Sequence, residues 1–349
     1  MRQQVSRKAL KLKRQVSMKN EVEMGMKDKI GIYLENVKTA AIAGHTRPDG
    51  DCVGSCLGLY NYIRKNYPMV SVDVYLEPVP EAYRVIKNTD QVKTPAAWAA
   101  DRVPAYDVFF ALDASDKERL AGAAPCFDQA HKTVCIDHHI SNKGYGDVNV
   151  IMPSASSTCE VLAEMMDMDG VDQDIAEALY IGMICDTGCF KHSNTSEKTM
   201  CIAGGLLTKG VRHSKLIDEV FFQKTYTQNQ LLGRCLLESF LMFSGKCIVS
   251  VADRKVMDFY QAVQSDLEGV IDQMRVTKGV EIAVLLTEVG ELSYKVSMRS
   301  NEYVNVAQIA GHFGGGGHVR AAGCTMSGTK YDVINNLTRL IEEQLADHD

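Results

Sequence analysis

Short apolar runs alternate with longer helical repeats through the first part of the chain. Thr39–His45 reads as a strand, and the apolar spacing over Val53–Asn66 predicts a helix. Val70–Leu76 alternates Val-Ser-Val-Asp-Val-Tyr-Leu and predicts a second strand. Tyr106–Asp113 and Thr133–Asp137 are further β-rich runs, each ending on a carboxylate. Helices are predicted over Ser156–Met166, which opens on Ser and Thr with Glu160 close behind, over the apolar Ile175–Ile184, and over Thr195–Leu207. Strands separated by helices predict an α/β class, with a doubly wound, largely parallel sheet.

The pattern weakens around 208–226, which predicts the connection between two domains. Beyond it come a long helix over Asn229–Phe243, a strand over Cys247–Val251 and a helix near Leu267–Met274. Two strands, Val280–Val289 and Leu292–Met298, flank a Gly290-Glu291 turn. Asn305–His312 is helical, Gly314–His318 is a glycine loop, and Tyr331–Leu345 is the final helix. A hairpin among helices predicts a smaller α+β C-terminal domain. The expected division is a leader over 1–29, a first domain over 30–210, a linker over 211–228 and a second domain over 229–349.

Composition narrows the class. With 349 residues, 46% hydrophobic and 23% charged, the chain has the balance of a soluble two-domain protein. No apolar run approaches the roughly 18 residues of a membrane span. The net charge of −6 hides an asymmetry. Residues 1–20 hold seven basic residues and no acid, so the rest of the chain carries −13. The leader lacks the apolar core of a secretory signal and reads as a disordered, non-essential arm, or as sequence ahead of a later start at Met18, Met24 or Met26. An acidic body argues against long duplex nucleic acid as a partner, but is compatible with a small phosphorylated ligand. Eleven scattered cysteines without a Cys-x-x-Cys pair read as reduced thiols in a cytoplasmic protein. Cys52 and Cys56, and Cys185 and Cys189, lie near the candidate site at helical spacing and read as core thiols rather than a zinc site.

The candidate chemistry gathers where apolar elements end. The first strand runs into a Gly/Pro turn holding His45, Asp49 and Asp51. Taken alone, the two aspartates could simply cap the following helix. Asp113, then Asp137-His138-His139, then Asp186 follow three more apolar elements. In an open parallel sheet such ends lie on one edge. One edge rich in Asp and His suits two adjacent hard or borderline cations such as Mn²⁺ or Mg²⁺, the arrangement of hydrolases that cleave phosphate esters.

His45-Thr-Arg-Pro-Asp-Gly-Asp-Cys-Val-Gly-Ser55, the isolated Asp113, Asp137-His-His-Ile-Ser-Asn142 and Gly182-Met-Ile-Cys-Asp-Thr-Gly-Cys-Phe-Lys-His-Ser-Asn-Thr195 resemble the four motifs of the DHH phosphoesterase family. Gly314-Gly-Gly-Gly-His-Val-Arg-Ala-Ala-Gly323 resembles the glycine-rich signature of the DHH-associated C-terminal domain. The resemblance runs through residues 30–345 in a single order, and is nearest to the two-domain nano-RNase and 3′-phosphoadenosine 5′-phosphate phosphatase group. It implies two Mn²⁺ ions, with Mg²⁺ or Co²⁺ as alternatives. His45, Asp49 and Asp113 would bind the first ion. Asp51, Asp113, His138 and Asp186 would bind the second, with Asp113 bridging. It also implies that His139 touches the scissile phosphate, and Asp137 is expected to orient His138 from behind.

In the second domain, Gly315, Gly316 and Gly317 would let the backbone approach a ligand. Arg299, His318 and Arg320 would supply cationic donors. Relatives often carry a basic residue directly after the histidine; here Val319 stands there and Arg320 follows. Ser156-Ser157-Thr158 caps a helix whose N–H groups either close the helix or face a phosphate. The expected activity is hydrolysis of short 5′-phosphorylated RNA, and of 3′-phosphoadenosine 5′-phosphate, by a metal-activated water in a cleft that limits substrate length. The alternative is a phosphodiesterase for cyclic dinucleotides or their linear products. A pyrophosphatase of the same superfamily fits less well, because it lacks the glycine-histidine signature. A sensor without turnover fits poorly, because no ligand is lost. The resemblance further implies a homodimer without membrane attachment.

Overall fold

A computed structural model describes residues 28–95 and 103–346, and the chain falls into two compact units that meet between Gln223 and Lys224. Nearly all of the expected leader therefore lies outside the described residues.

The first unit is an α/β structure built on one parallel sheet. It contains helix α1 (Gly31–Leu34), strand β1 (Thr39–Ala43), helix α2 (Gly50–Asn66) and strands β2 (Ser71–Tyr75) and β3 (Val108–Leu112). Helix α3 (Ala124–Gln129), strand β4 (Thr133–Asp137), strand β5 (Val148–Ile151) and helices α4 (Thr158–Met165), α5 (Gln173–Asp186), α6 (Glu197–Leu207) and α7 (His213–Ile217) follow. The five strands are all parallel, in the order β2-β1-β3-β4-β5. Strands β3 and β4 are buried at every residue. That is what a parallel sheet covered on both faces requires, and it explains why these runs read as continuously apolar. The chain moves outward from β1 to β2, then crosses back to β3, so the strand order reverses between β1 and β3. In open α/β sheets, ligands bind at such a switch point, beyond the carboxyl ends of the strands.

Helices α2 and α4 lie against this sheet, α5 packs against both of them, and α2 and α5 approach closely enough to need glycine. A Cβ at Gly182 would collide with the Cys159 thiol and lie 2.7 Å from Asp51 Oδ1. The absence of that carbon lets the start of α2 rest against α5.

The second unit contains α8 (Tyr226–Leu237), β6 (Phe240–Met242), β7 (Cys247–Ala252), α9 (Arg254–Phe259), α10 (Val270–Arg275), β8 (Ile282–Gly290) and β9 (Ser293–Ser300). It closes with α11 (Val306–His312), β10 (Gly316–His318), β11 (Ala321–Ser327) and α12 (Lys330–Ala346). Its six strands are ordered β10-β11-β9-β8-β7-β6, antiparallel except for the β7–β8 pair. Val333, Leu337, Ile341 and Leu345 of α12 and Val306 and Ile309 of α11 pack on one face. Leu231 of α8 and Val270, Ile271 and Met274 of α10 pack on the other.

Several elements differ from the sequence expectation. The helix expected over Asn229–Phe243 stops at Leu237, and Phe240–Met242 turns into an edge strand. Part of the glycine loop is strand β10, and β11 and β5 were not foreseen. Strand β5 is a half-exposed sheet edge, so its Val-Asn-Val-Ile carries only a weak apolar signal. Residues 211–221 belong to the first unit, where Val211 and Leu216 are buried in the core. Among the described residues, no helix is long and apolar enough to cross a membrane.

Candidate metal centre

The site is built on the ends of β1, β3 and β4 and on the two ends of the α2–α5 pair. Asp49 is the N-cap of α2, and its Oδ1 accepts the N–H groups of Asp51 (3.2 Å) and Cys52 (3.1 Å). Asp113 follows β3 in a left-handed conformation, with φ of 53°, which an aspartate tolerates. His138 and His139 follow β4. Asp186 is the last residue of α5 rather than part of a free turn.

Their side chains converge. His45 Nε2 lies 3.5 Å from Asp113 Oδ2 and 3.6 Å from Asp49 Oδ1. His138 Nε2 lies 3.2 Å from Asp186 Oδ2, 3.7 Å from Asp113 Oδ1 and 3.9 Å from Asp51 Oδ2. Most of these separations are too long for hydrogen bonds. They approach the roughly 3.0–3.4 Å expected between neighbouring donors that each sit about 2.1 Å from a shared hard cation. Two groups share Asp113: its Oδ2 faces His45, and its Oδ1 faces His138.

The electrostatics point the same way. Asp51 and Asp113 are 0% and 2% exposed, and the ion pairs of Asp51, Asp113 and Asp186 among the described residues are all to histidine. Burial, then the charges of Asp113 and Asp186, push Asp51 well above the usual carboxylate range. Burial also raises Asp113, against the pull of His45. Burial alone would depress His45 and His138. Their carboxylate neighbours reverse this, chiefly Asp113 and Asp49 for His45 and Asp186 for His138, and His138 rises to about 10. Four carboxylates share a pocket, and among the described residues no lysine or arginine pairs with the buried ones, a deficit that divalent cations would fill. The donor set fits hard or borderline ions.

Three findings revise the sequence expectations. Asp137 does not reach the ring of His138. Its Oδ1 lies 2.7 Å from Nδ1 of His139 and accepts the backbone N–H groups of His138 (2.8 Å) and His139 (3.2 Å). Its Oδ2 accepts from the Asn142 amide at 2.7 Å. Second, the N–H groups at the start of α4 do not face a phosphate. Those of Thr158 and Cys159 donate to Asp51 Oδ2 (2.6 Å) and Oδ1 (3.0 Å), and that of Glu160 to Ser157 Oγ (3.0 Å). Third, the thiol of Cys52 comes within 4.8 Å of the ligand atoms of both His45 and Asp113. Burial pushes this thiol far up, and it donates to the carbonyl of His45 at 3.8 Å. Cys52 and Cys56 are buried, as expected of core thiols, whereas Cys185 and Cys189 are half-buried.

Residues 39–183 match the DHH family, N-terminal domain, and residues 245–347 match the DHHA1 domain. This chain carries a DHH domain and a DHHA1 domain. Among similar proteins, the bifunctional oligoribonuclease and PAP phosphatase NrnA of Thermus thermophilus is 28% identical over 308 residues, covering 87% of this chain and 90% of that protein. The cyclic-di-AMP phosphodiesterase PdeA of Listeria monocytogenes is 26% identical over 80% of this chain, which spans 44% of PdeA. The crystal structure of an exopolyphosphatase-related protein from Bacteroides fragilis shares the fold, with a TM-score of 0.80 at 22% identity over 92% of this chain and 96% of that one.

Within the DHHA1 domain, the glycine segment forms a hairpin with β11. A Cβ at Gly315 or Gly317 would strike the backbone of β11, so these two glycines serve strand packing, whereas the space beside Gly316 is open. His318 pairs with Ala321, and Ala321 with Arg299, so His318 and Arg299 share one face of the sheet. Arg299 lines a cavity of about 540 Å³ together with Lys295, Ser297 and Thr287, and its Nε lies 3.3 Å from Asp272. Arg320 points elsewhere. Its guanidinium donates to the carbonyls of Val304 (2.9 Å) and Glu302, which ties the hairpin to the loop before α11.

Proposed function

We propose that the protein is a Mn²⁺-dependent phosphoesterase that hydrolyses short 5′-phosphorylated oligoribonucleotides, and 3′-phosphoadenosine 5′-phosphate as a second substrate. The observation that carries this reading is the convergence of His45, Asp49, Asp51, Asp113, His138 and Asp186 at the switch point of the sheet. His45, Asp49 and Asp113 would hold one ion, and Asp51, Asp113, His138 and Asp186 the other. A bound pair of divalent cations supplies an activated water and charge neutralisation at the phosphoryl group.

The chain's own residues do the rest. Asp137 favours the cationic form of His139, whose ring is raised chiefly by that hydrogen bond. With Asp137 on Nδ1, the Nε2–H is the donor available to an anionic phosphoryl oxygen. In the DHHA1 domain, Arg299 and His318 are the donors for a second phosphate. Gly316 leaves room for the ligand, Gly315 and Gly317 shape the hairpin, and Arg320 anchors it. All eleven cysteines are free, which supports a reducing, cytoplasmic setting. We take the working form to be a homodimer.

Product analysis of Mn²⁺-loaded protein tests this. It compares a 5′-labelled RNA dinucleotide, a five-residue RNA, 3′-phosphoadenosine 5′-phosphate and cyclic di-AMP. Faster release of mononucleotide from the short RNAs is the expected result, and preferred opening of cyclic di-AMP would favour the cyclic-dinucleotide alternative instead. Asp113→Ala should remove turnover on every substrate, and full activity in that variant would rule out a shared ligand.

A further inference from the structure

The Ser156–Thr158 segment that opens α4 is wholly buried beside the metal centre, and its role is not exhausted by capping. Ser157 caps the helix through Glu160 N–H. Glu160, also buried, accepts from the N–H of Ser156 (3.1 Å), the hydroxyl of Ser156 (2.6 Å) and the hydroxyl of Thr199 (2.7 Å). These bonds pin the segment. Thr158 then reaches two of the site's aspartates, which come from different elements. Its N–H donates to Asp51 Oδ2 at 2.6 Å, and its hydroxyl donates to Asp113 Oδ1 at 3.1 Å.

The hydroxyl bond selects one oxygen of Asp113. Oδ1 is the oxygen that faces His138, at 3.7 Å, while Oδ2 faces His45, at 3.5 Å. The terminal torsion of an aspartate is broad and weakly held by its own rotamer preferences. A donor fixed on Oδ1 holds the carboxylate plane so that each oxygen serves a different group. Threonine suits this task, because its branched Cβ restricts χ1 and aims the hydroxyl.

We infer that Thr158 is a positioning residue for the metal centre: its hydroxyl holds Asp113 in the bridging orientation while its N–H holds Asp51. The inference rests on the two-ion reading above. Groups that orient a metal ligand from behind typically change metal affinity about 10- to 100-fold when removed.

The test is a Mn²⁺ titration followed by electron paramagnetic resonance, which reports free ions and the dipolar signal of a bound pair without any turnover. Thr158→Val keeps the N–H and the shape but removes the hydroxyl. It should weaken one of two Mn²⁺ sites by about 10- to 100-fold and abolish the pair signal at concentrations that saturate the wild type. Thr158→Ser should restore binding to within about threefold. Ser156→Ala removes a neighbouring hydroxyl that donates to Glu160 and not to a site aspartate; it should lower thermal stability and weaken Mn²⁺ binding far less than Thr158→Val does. Should Thr158→Val not fold, Thr158→Ala removes the same hydroxyl with less crowding. Two tight sites in the folded Thr158→Val or Thr158→Ala protein would overturn the inference, as would an equal loss in Ser156→Ala, which would mark general loosening. A wild type binding fewer than two Mn²⁺ ions would overturn the two-ion reading itself, and the inference with it.

Discussion

Nδ1 of His139 lies 2.7 Å from Oδ1 of Asp137, so the buried aspartate that ends β4 serves the second histidine of its motif, not the first. The same oxygen accepts both following backbone N–H groups, and Asn142 holds the other. This carboxylate therefore fixes the ring of His139 while remaining outside both groups of metal-type ligands. Asp137→Asn should lower kcat by about 100-fold, the lower end of what a positioned proton donor contributes, with Mn²⁺ content unchanged. Steady-state kinetics with metal analysis decides it; loss of metal in place of loss of kcat would mean that Asp137 acts on the ions instead.

Protons and cations compete for the same pocket, which gives the metal-free protein a definite pH response. His138 is raised in the folded chain from its ordinary 6.5 to about 10, after burial is outweighed by Asp186. A raised histidine contributes stability that is complete below about pH 6.5 and is lost as pH rises towards about 10. Burial also raises Asp51 and Asp113, and a raised carboxylate contributes with the same sign, its effect beginning above the ordinary carboxylate value. Chelated protein should therefore lose Tm as pH rises above about 6.5, and the Tm gain from added Mn²⁺ should grow over the same interval. Calorimetry in buffers of different ionisation enthalpy should show proton release on Mn²⁺ binding. A Mn²⁺ effect that does not change with pH would contradict this picture.

The contrast between what could and could not be read beforehand is physical. His45, Asp113 and His138 could be placed on one edge, because each follows a run apolar enough to be a buried parallel strand. Strand β5 escaped notice because an edge strand buries little, and β6 and β11 because their short runs are broken by glycine or adjoin a helix. The bond from Thr158 to Asp113 spans 45 positions, and that from Thr158 to Asp51 spans 107. Contacts of that range leave no period in the chain. The N–H groups of α4 looked available to a phosphate because nothing local could show that Asp51 takes them.

Arg299 and Arg320 have different surroundings, and their variants should separate. Arg299 borders the cavity between α10 and the sheet, whereas Arg320 is spent on the carbonyls of Glu302 and Val304. Arg299→Ala should raise KM for oligonucleotides by about tenfold or more, the scale of one charge-assisted phosphate contact, with metal content and Tm near wild type. Arg320→Ala should instead lower Tm, because two backbone carbonyls lose their donor. If Arg320→Ala raised KM without a change in Tm, the assignment of the two arginines would have to be exchanged.

Away from the centre, Glu177 of α5 holds the segment before α7. Its carboxylate accepts from Arg212 Nε (2.8 Å), Arg212 Nη2 (2.6 Å), the Arg212 backbone N–H (3.1 Å) and the Gln173 amide (3.1 Å). Glu177 is nearly buried, while half of the Arg212 side chain is open to solvent, which screens the pair. Burial pushes the glutamate up, but the guanidinium outweighs it and holds it below its ordinary 4.5. A depressed carboxylate contributes stability that is complete above the unfolded value and disappears as pH falls through the folded one. Glu177→Gln keeps the shape and loses the charge, and should lower Tm by about 2–4 °C at neutral pH. The gap between variant and wild type should close as pH drops below about 4.5. Thermal unfolding across that interval reads it directly, and a gap that persists unchanged into acid would show that packing, not charge, is what Glu177 contributes.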